Sequence, residues 1–117
     1  MKIIRSNSIK PSKRPLGRRV KKMLELKLKP PVDSMAIYLN FLPQGKLDKH
    51  YHSKSQEIIC FPQGGRISVN GRRYKMNIWD MVLLDIGDVH CCERKGKSTL
   101  HFVIKVPNIK DKKCIKP

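Results

Sequence analysis

Two imidazoles sit on one short stretch, His50-Tyr51-His52-Ser53-Lys54-Ser55-Gln56-Glu57, which is answered later in the chain by Asp85-Ile86-Gly87-Asp88-Val89-His90. In an extended strand successive side chains point to opposite faces, so His50 and His52 share a side and Tyr51 is directed away. One strand therefore carries two candidate ligands. Glu57 lies five positions beyond His52, the wrong parity for an unbroken strand. The small and polar Ser53-Lys54-Ser55-Gln56 between them suits a bend or bulge. Three imidazole nitrogens and a carboxylate oxygen form a donor set for borderline divalent metals. A lone His-x-His is commonplace on surfaces. The fourfold constellation, with Glu57 and His90 each following a turn beside an apolar run, is what reads as a metal site.

The two stretches resemble the two halves of the cupin signature. Gly45, His50, His52, Glu57 and Gly64 fill the first half, and Gly87 and His90, flanked by Asp80, Val82 and Leu84, meet the second. The likeness covers about residues 35 to 106 and departs in places. One residue fewer than usual separates Gly45 from His50, and Trp79, Asp85 and Arg94 stand where glycine, proline and asparagine are expected. The resemblance implies an all-β fold, the cupin double-stranded β-helix, which is a jelly-roll-like antiparallel barrel. It implies a divalent transition metal (Fe, Mn, Ni, Co or Zn) held in the barrel by His50, His52, Glu57 and His90. It also implies a homodimer, because an early strand in such proteins commonly joins a partner subunit's sheet. The reaction is left open, since the family includes isomerases, dioxygenases, epimerases, metal-free binders and sensors.

A chain of 117 residues suffices for one domain with a core and leaves no room for two. The expected division is a basic extension over residues 1–22 and a single barrel over residues 23–117. No apolar run is long enough to span a membrane and no secretory signal follows the basic N-terminus, so a soluble, cytoplasmic protein is expected. Cys60, Cys91, Cys92 and Cys114 lack Cys-x-x-Cys spacing and are read as reduced thiols. Net charge is +17, from 26 basic and 9 acidic side chains. Residues 1–30 hold eleven Lys or Arg and one acid, Glu25. Such a balance attracts anionic small molecules or polyanions, but the segment lacks the interleaved aromatics of a single-strand binder.

Residues 1–19, with Pro11, Pro15 and Gly17 among scattered charges, read as a flexible or loosely docked extension. Leu24-Glu25-Leu26-Lys27-Leu28-Lys29 alternates with period two, predicting a half-buried strand ended by Pro30-Pro31, with a helix through Val20, Leu24 and Leu28 as the alternative. Met35 to Phe41 predicts a strand with Met35, Ile37, Leu39 and Phe41 on one face, ended by Pro43-Gln44-Gly45. Glu57, Ile59 and Phe61 share a side and Cys60 faces away. Asn70-Gly71 signals a two-residue hairpin, with Arg66, Arg72 and Arg73 as solvated charges. Met81 to Leu84 is a short buried strand, and His90 and Cys92 point inward together. The Cys92 thiol either tunes the pocket or is a small buried apolar residue, the favoured reading. Thr99 to Val106 closes the sheet with Leu100, Phe102 and Ile104 on one face and His101 on the outer one. Trp79 caps the barrel or meets a partner. The lysine-rich tail from Pro107 packs on the barrel edge or frays.

Four protein ligands on a metal that accepts six leave two adjacent positions for a chelating substrate. The expected function is a small metalloenzyme of isomerase or dioxygenase type, acting on an oxygenated molecule such as a sugar, sugar acid or keto acid, with the positive net charge favouring an anionic one. Asp48, Glu93 and Tyr38 are the candidate bases. The alternative is a metal- or ligand-binding sensory cupin whose basic arm contacts nucleic acid or a protein partner.

Overall fold

Period-two patterning organises the chain from Ala36 onward into short antiparallel strands. The structure is a computed structural model and describes residues 1–28, 32–42, 48–93, 96–97 and 100–115. The expectations for Pro30-Pro31, Pro43-Gln44-Gly45, Arg94 and Thr99 lie outside these described residues. The strands are β1 (Lys2–Ile4), β2 (Ser12–Lys13), β3 (Arg19–Val20), β4 (Ala36–Phe41), β5 (His50–His52), β6 (Gln56–Phe61), β7 (Gly65–Val69), β8 (Arg72–Met76), β9 (Asp80–Leu84), β10 (His90–Glu93), β11 (Leu100–Val106) and β12 (Lys112–Cys114). One sheet has the order β1-β9-β6-β11-β4 and the second β12-β5-β10-β7-β8, while β2 and β3 form a separate ribbon. The two five-stranded sheets stack as a jelly-roll-like sandwich, the all-β class expected.

The core lies between the sheets. Ile59 and Phe61 of β6, Val82 and Leu84 of β9 and Val103 of β11 meet Ile67 and Val69 of β7, Met76 of β8 and Cys92 of β10. Each large apolar side chain buried here contributes about 1.5–3 kcal/mol. β7 and β8 turn at Asn70 and Gly71, with φ of 50° and 84°, as the Asn-Gly pair predicted. The inward thiol of Cys92 belongs to this core, and burial pushes its pKa well up. A thiol held protonated among apolar side chains is packing material, in agreement with the favoured reading.

Trp79 occupies a turn at φ 67°, the left-handed region that favours glycine, which explains why glycine is the expected residue there. That conformation costs about 1–2 kcal/mol. Trp79 is 53 % exposed.

Three sequence expectations are corrected. Residues 1–6 are not loosely attached. Lys2–Ile4 pair with Met81–Leu83 as an edge strand, and Arg5 Nη1 reaches Asp80 Oδ2 at 2.7 Å. Asp80 is almost fully buried, and an unpaired carboxylate there would be costly, so Arg5 anchors the N-terminus. Residues 21–28 form no strand. Instead Met23, Leu24, Leu26 and Leu28 border a groove with Ile58, Cys60, Met81, Phe102 and Ile104 on the outer face of the first sheet. On β4, Ile37, Leu39 and Phe41 share a face as expected; that face is the outer one, and they are 63 %, 53 % and 72 % exposed. The outer row continues through Leu100, Phe102 and Ile104, their register partners on β11.

His101 is therefore an inward residue rather than an outer-face one. It is fully buried against Phe61, with ring centroids 4.4 Å apart, and neither ring nitrogen has a hydrogen-bond partner. Burial lowers its pKa from 6.5 to about 4. Between those two pH values the unfolded chain binds a proton at this residue and the folded chain does not, so stability falls as pH drops through the window. His101→Leu removes that titration and should flatten this part of the profile of urea midpoint against pH relative to wild type. An identical slope in both proteins would contradict the assignment.

Candidate metal centre

The four ligand positions converge between the two sheets. β5 carries His50 and His52 on its inner side, β10 brings His90 into register with His50, and β6 delivers Glu57 from the opposite sheet. The bend expected between His52 and Glu57 is present: β5 ends at His52 and β6 begins at Gln56. Gly87 N–H donates to the His52 carbonyl at 2.9 Å, which ties the turn before His90 to the His-x-His strand. That turn is braced by Asp85 N–H donating to Asp88 Oδ2 at 2.9 Å, a bond a proline at position 85 could not make. Asn70 braces it further, donating from Nδ2 to Asp88 Oδ1 and accepting at Oδ1 from Val89 N–H.

One donor atom from each of His50, His52, Glu57 and His90 falls within 4.8 Å of the others. His52 Nε2 is 2.9 Å and His90 Nε2 3.2 Å from Glu57 Oε1. Two ligands at right angles, each about 2.1 Å from one ion, lie about 3.0 Å apart, so these separations suit a shared cation. His52, Glu57 and His90 are buried and His50 is half-buried, so the cluster opens to solvent on the His50 side.

The hydrogen bonds show which nitrogens are free. His50 Nδ1 lies 3.0 Å from the Asp48 carbonyl and His90 Nδ1 2.9 Å from the Asp88 carbonyl. A carbonyl only accepts, so both Nδ1 atoms carry the proton and both Nε2 atoms keep a lone pair. Burial lowers the pKa of His50 to about 4, against its bond to Asp48 and assisted by His90, Lys112 and His52, leaving it neutral and ligand-competent at pH 7. Burial would raise the pKa of Glu57, but the neighbouring imidazoles, His90 foremost, outweigh it and the net shift is downward. Glu57 is thus an ionised acceptor. His52 Nε2 and Glu57 Oε1 are both buried and without a hydrogen-bond partner. Two orphaned acceptors face each other at 2.9 Å, an arrangement a cation satisfies. The donor set fits a divalent metal.

An open cleft of about 650 Å³ leads to the cluster, bordered by Tyr38, Asn40, Asp48, His50, His52, Glu57, Lys105 and Lys112. Two of the three candidate bases, Tyr38 and Asp48, border it. Glu93 does not: it lies 3.9 Å from Arg66 and 3.7 Å from Arg73, so these arginines are not purely solvated charges. His101 stands outside the ligand group, as expected. Two residues that sequence reasoning missed belong to the site. Asp111, almost fully buried, has Oδ1 2.9 Å from both His52 Nδ1 and Lys105 Nζ. Asp111 is the one acid after Glu93 in a lysine-rich tail, the signal that could have flagged it. The tail packs rather than frays, since β12 pairs with β5.

No family model matches the chain, and no curated protein matches it significantly in sequence. Among solved structures it is similar to a cupin protein from Bacteroides fragilis, at 16 % identity over 78 % of this chain and 89 % of that one, with a TM-score of 0.56. It is similar to a Streptomyces protein solved with uridine, at 14 % identity over 84 % and 76 % of the two chains, TM-score 0.56. It is also similar to a Thermotoga maritima protein described as a predicted oxalate decarboxylase, at 23 % identity over 91 % and 98 %, TM-score 0.50. The chain has the cupin fold. Among the described residues no helix is long and apolar enough to cross a membrane.

Untagged protein stripped with a chelator should take up one divalent ion per chain in a calorimetric titration with Mn(II) or Co(II). At an ion concentration about 100-fold above Kd the gain in stability should be about 2.7 kcal/mol. His52→Ala and Glu57→Gln should each weaken binding by more than about 100-fold, beyond the usual effect of losing an outer partner. Undiminished uptake by either variant would remove that residue from the ligand set.

Proposed function

We propose that the chain is a small metal-dependent enzyme acting on an oxygenated, carboxylate-bearing molecule such as a sugar acid or keto acid. The observation that carries this reading is the cleft itself: an ion-ready cluster at its end, with Lys105 and Lys112 on its border. His50, His52, Glu57 and His90 would hold the ion. When bound there, a divalent ion supplies Lewis acidity that polarises a carbonyl or hydroxyl oxygen. Lys112, exposed on the cleft border, attracts a carboxylate into it, while the charge of Lys105 is already answered by Asp111. Tyr38, whose hydroxyl donates to Asn108 Oδ1 at 2.9 Å, and Asp48 are the groups placed to exchange a proton with bound substrate. Two chemistries are supported by this arrangement, a proton-transfer isomerisation and a dioxygenation.

The two separate in one experiment. Metal-loaded protein is incubated with sugar acids and keto acids in deuterated buffer under nitrogen, then in air with an oxygen electrode. An isomerase incorporates solvent deuterium beside the carbonyl and consumes no oxygen, while a dioxygenase consumes oxygen in step with substrate. Neither signal from the loaded protein would sink the enzymatic reading.

We also propose that two copies meet across β4. The strand ends its sheet and presents Ile37, Leu39 and Phe41 to solvent. An exposed apolar edge is a liability in a monomer. Phe41→Glu should convert a dimer to a monomer in sedimentation equilibrium, and a wild type that sediments as a monomer would refute the contact.

A further inference from the structure

We infer that Asp111 is the positioning residue for His52, fixing its tautomer and aiming Nε2 at Glu57. The inference rests on the metal-centre reading for its consequence but not for its geometry. His50 and His90 secure their Nδ1 atoms locally, each on the backbone carbonyl two residues earlier. His52 reaches across 59 residues to a carboxylate instead. An ionised carboxylate accepts only, so Nδ1 carries the proton and Nε2 presents its lone pair where Glu57 Oε1 waits at 2.9 Å. A carboxylate partner also makes an imidazole a stronger ligand than a carbonyl partner does.

Asp111 is itself held in place. Lys105 Nζ is 2.9 Å from Oδ1, and Lys54 N–H donates to Oδ2 at 2.9 Å. Lys105 is anchored in turn on the Ile109 carbonyl and stands beside Glu57 in the β6–β11 register. The Asp111 backbone carbonyl accepts from Ser53 N–H at 3.3 Å. Asp111 therefore grips both His52 and the Ser53-Lys54 bend that carries the chain from His52 towards Glu57. One residue sets the orientation of one ligand and the path to the next.

Both oxygens of Asp111 are accepting, Oδ1 from Lys105 and His52 and Oδ2 from Lys54. An asparagine offers one accepting oxygen, so Asp111→Asn cannot serve all of these donors. The test uses the full chain with nitrogen-15-labelled histidine and Co(II) as the probe. In metal-free wild type, the imidazole nitrogen spectrum should show His52 protonated at Nδ1. In Asp111→Asn that signature should be lost, Co(II) affinity should fall about 10- to 100-fold, and the Co(II) visible band should shift. Asp111→Glu should restore part of the affinity. A His52 protonated at Nε2 in wild type overturns the inference, with no need for the variant to fold. So does a variant that melts earlier yet keeps the wild-type nitrogen spectrum and Co(II) affinity, because that is a purely structural role. If wild type binds no Co(II) while the tautomer still depends on Asp111, the metal-centre reading fails and the positioning stands.

Discussion

Glu57 is a carboxylate enclosed on the apolar inner face of a sheet, and a charge in that position is untenable without an answering one. Leaving such a group unpaired costs several kcal/mol. Three imidazoles are gathered around it, but their proton-bearing nitrogens are committed elsewhere, to Asp48, Asp111 and Asp88. What remains are lone pairs facing an anion. The site is thus incomplete in a specific sense: its buried acceptors outnumber its donors, and a divalent cation removes the imbalance.

A second buried carboxylate, on the other nitrogen of the His52 ring, is treated differently. Asp111 would have its pKa raised by burial, but Lys105, His52 and the backbone of Lys54 pull it well below the ordinary range. One acid is neutralised by the protein and the other faces imidazole lone pairs. The contrast separates scaffold from site more clearly than burial does, since both residues are buried. It also shows how the ends of the described chain serve the middle. The N-terminal segment supplies Arg5 to the buried Asp80 and the C-terminal segment supplies Asp111 to His52. Both segments lie outside the stretch that resembles the cupin signature, yet each satisfies a polar group inside it.

The departures from that signature have local explanations. Trp79 accepts a left-handed backbone, and Asp85 contributes a backbone donor to the turn before His90. Neither displaces a ligand. The turns change while the convergence of the four side chains persists, because that convergence depends on the pairing of β5 with β10 and on β6 facing them across the core.

Strand alternation and residue spacing are local properties, so the strands from β4 to β11, the Asn70-Gly71 turn, the bend after His52 and the four side chains that cluster between the sheets could be read from the chain alone. Which face of a strand is covered is not local. A period of two says that the faces differ, and the more apolar face is the natural guess for the inside. On β11 that guess inverts the strand: Leu100, Phe102 and Ile104 lie outward and His101, Val103 and Lys105 inward. The first sheet carries apolar residues on both faces, and part of its outer face borders residues 21–28 in place of the expected strand. The partners of His52 and Asp80 were equally out of reach, because a single carboxylate or guanidinium acquires meaning only when sheet pairing brings it to a group distant in sequence. By itself the sequence determined the candidate ligands and the alternation. The tertiary structure decided the facing and the long-range charge pairs, since both depend on what is stacked against each sheet.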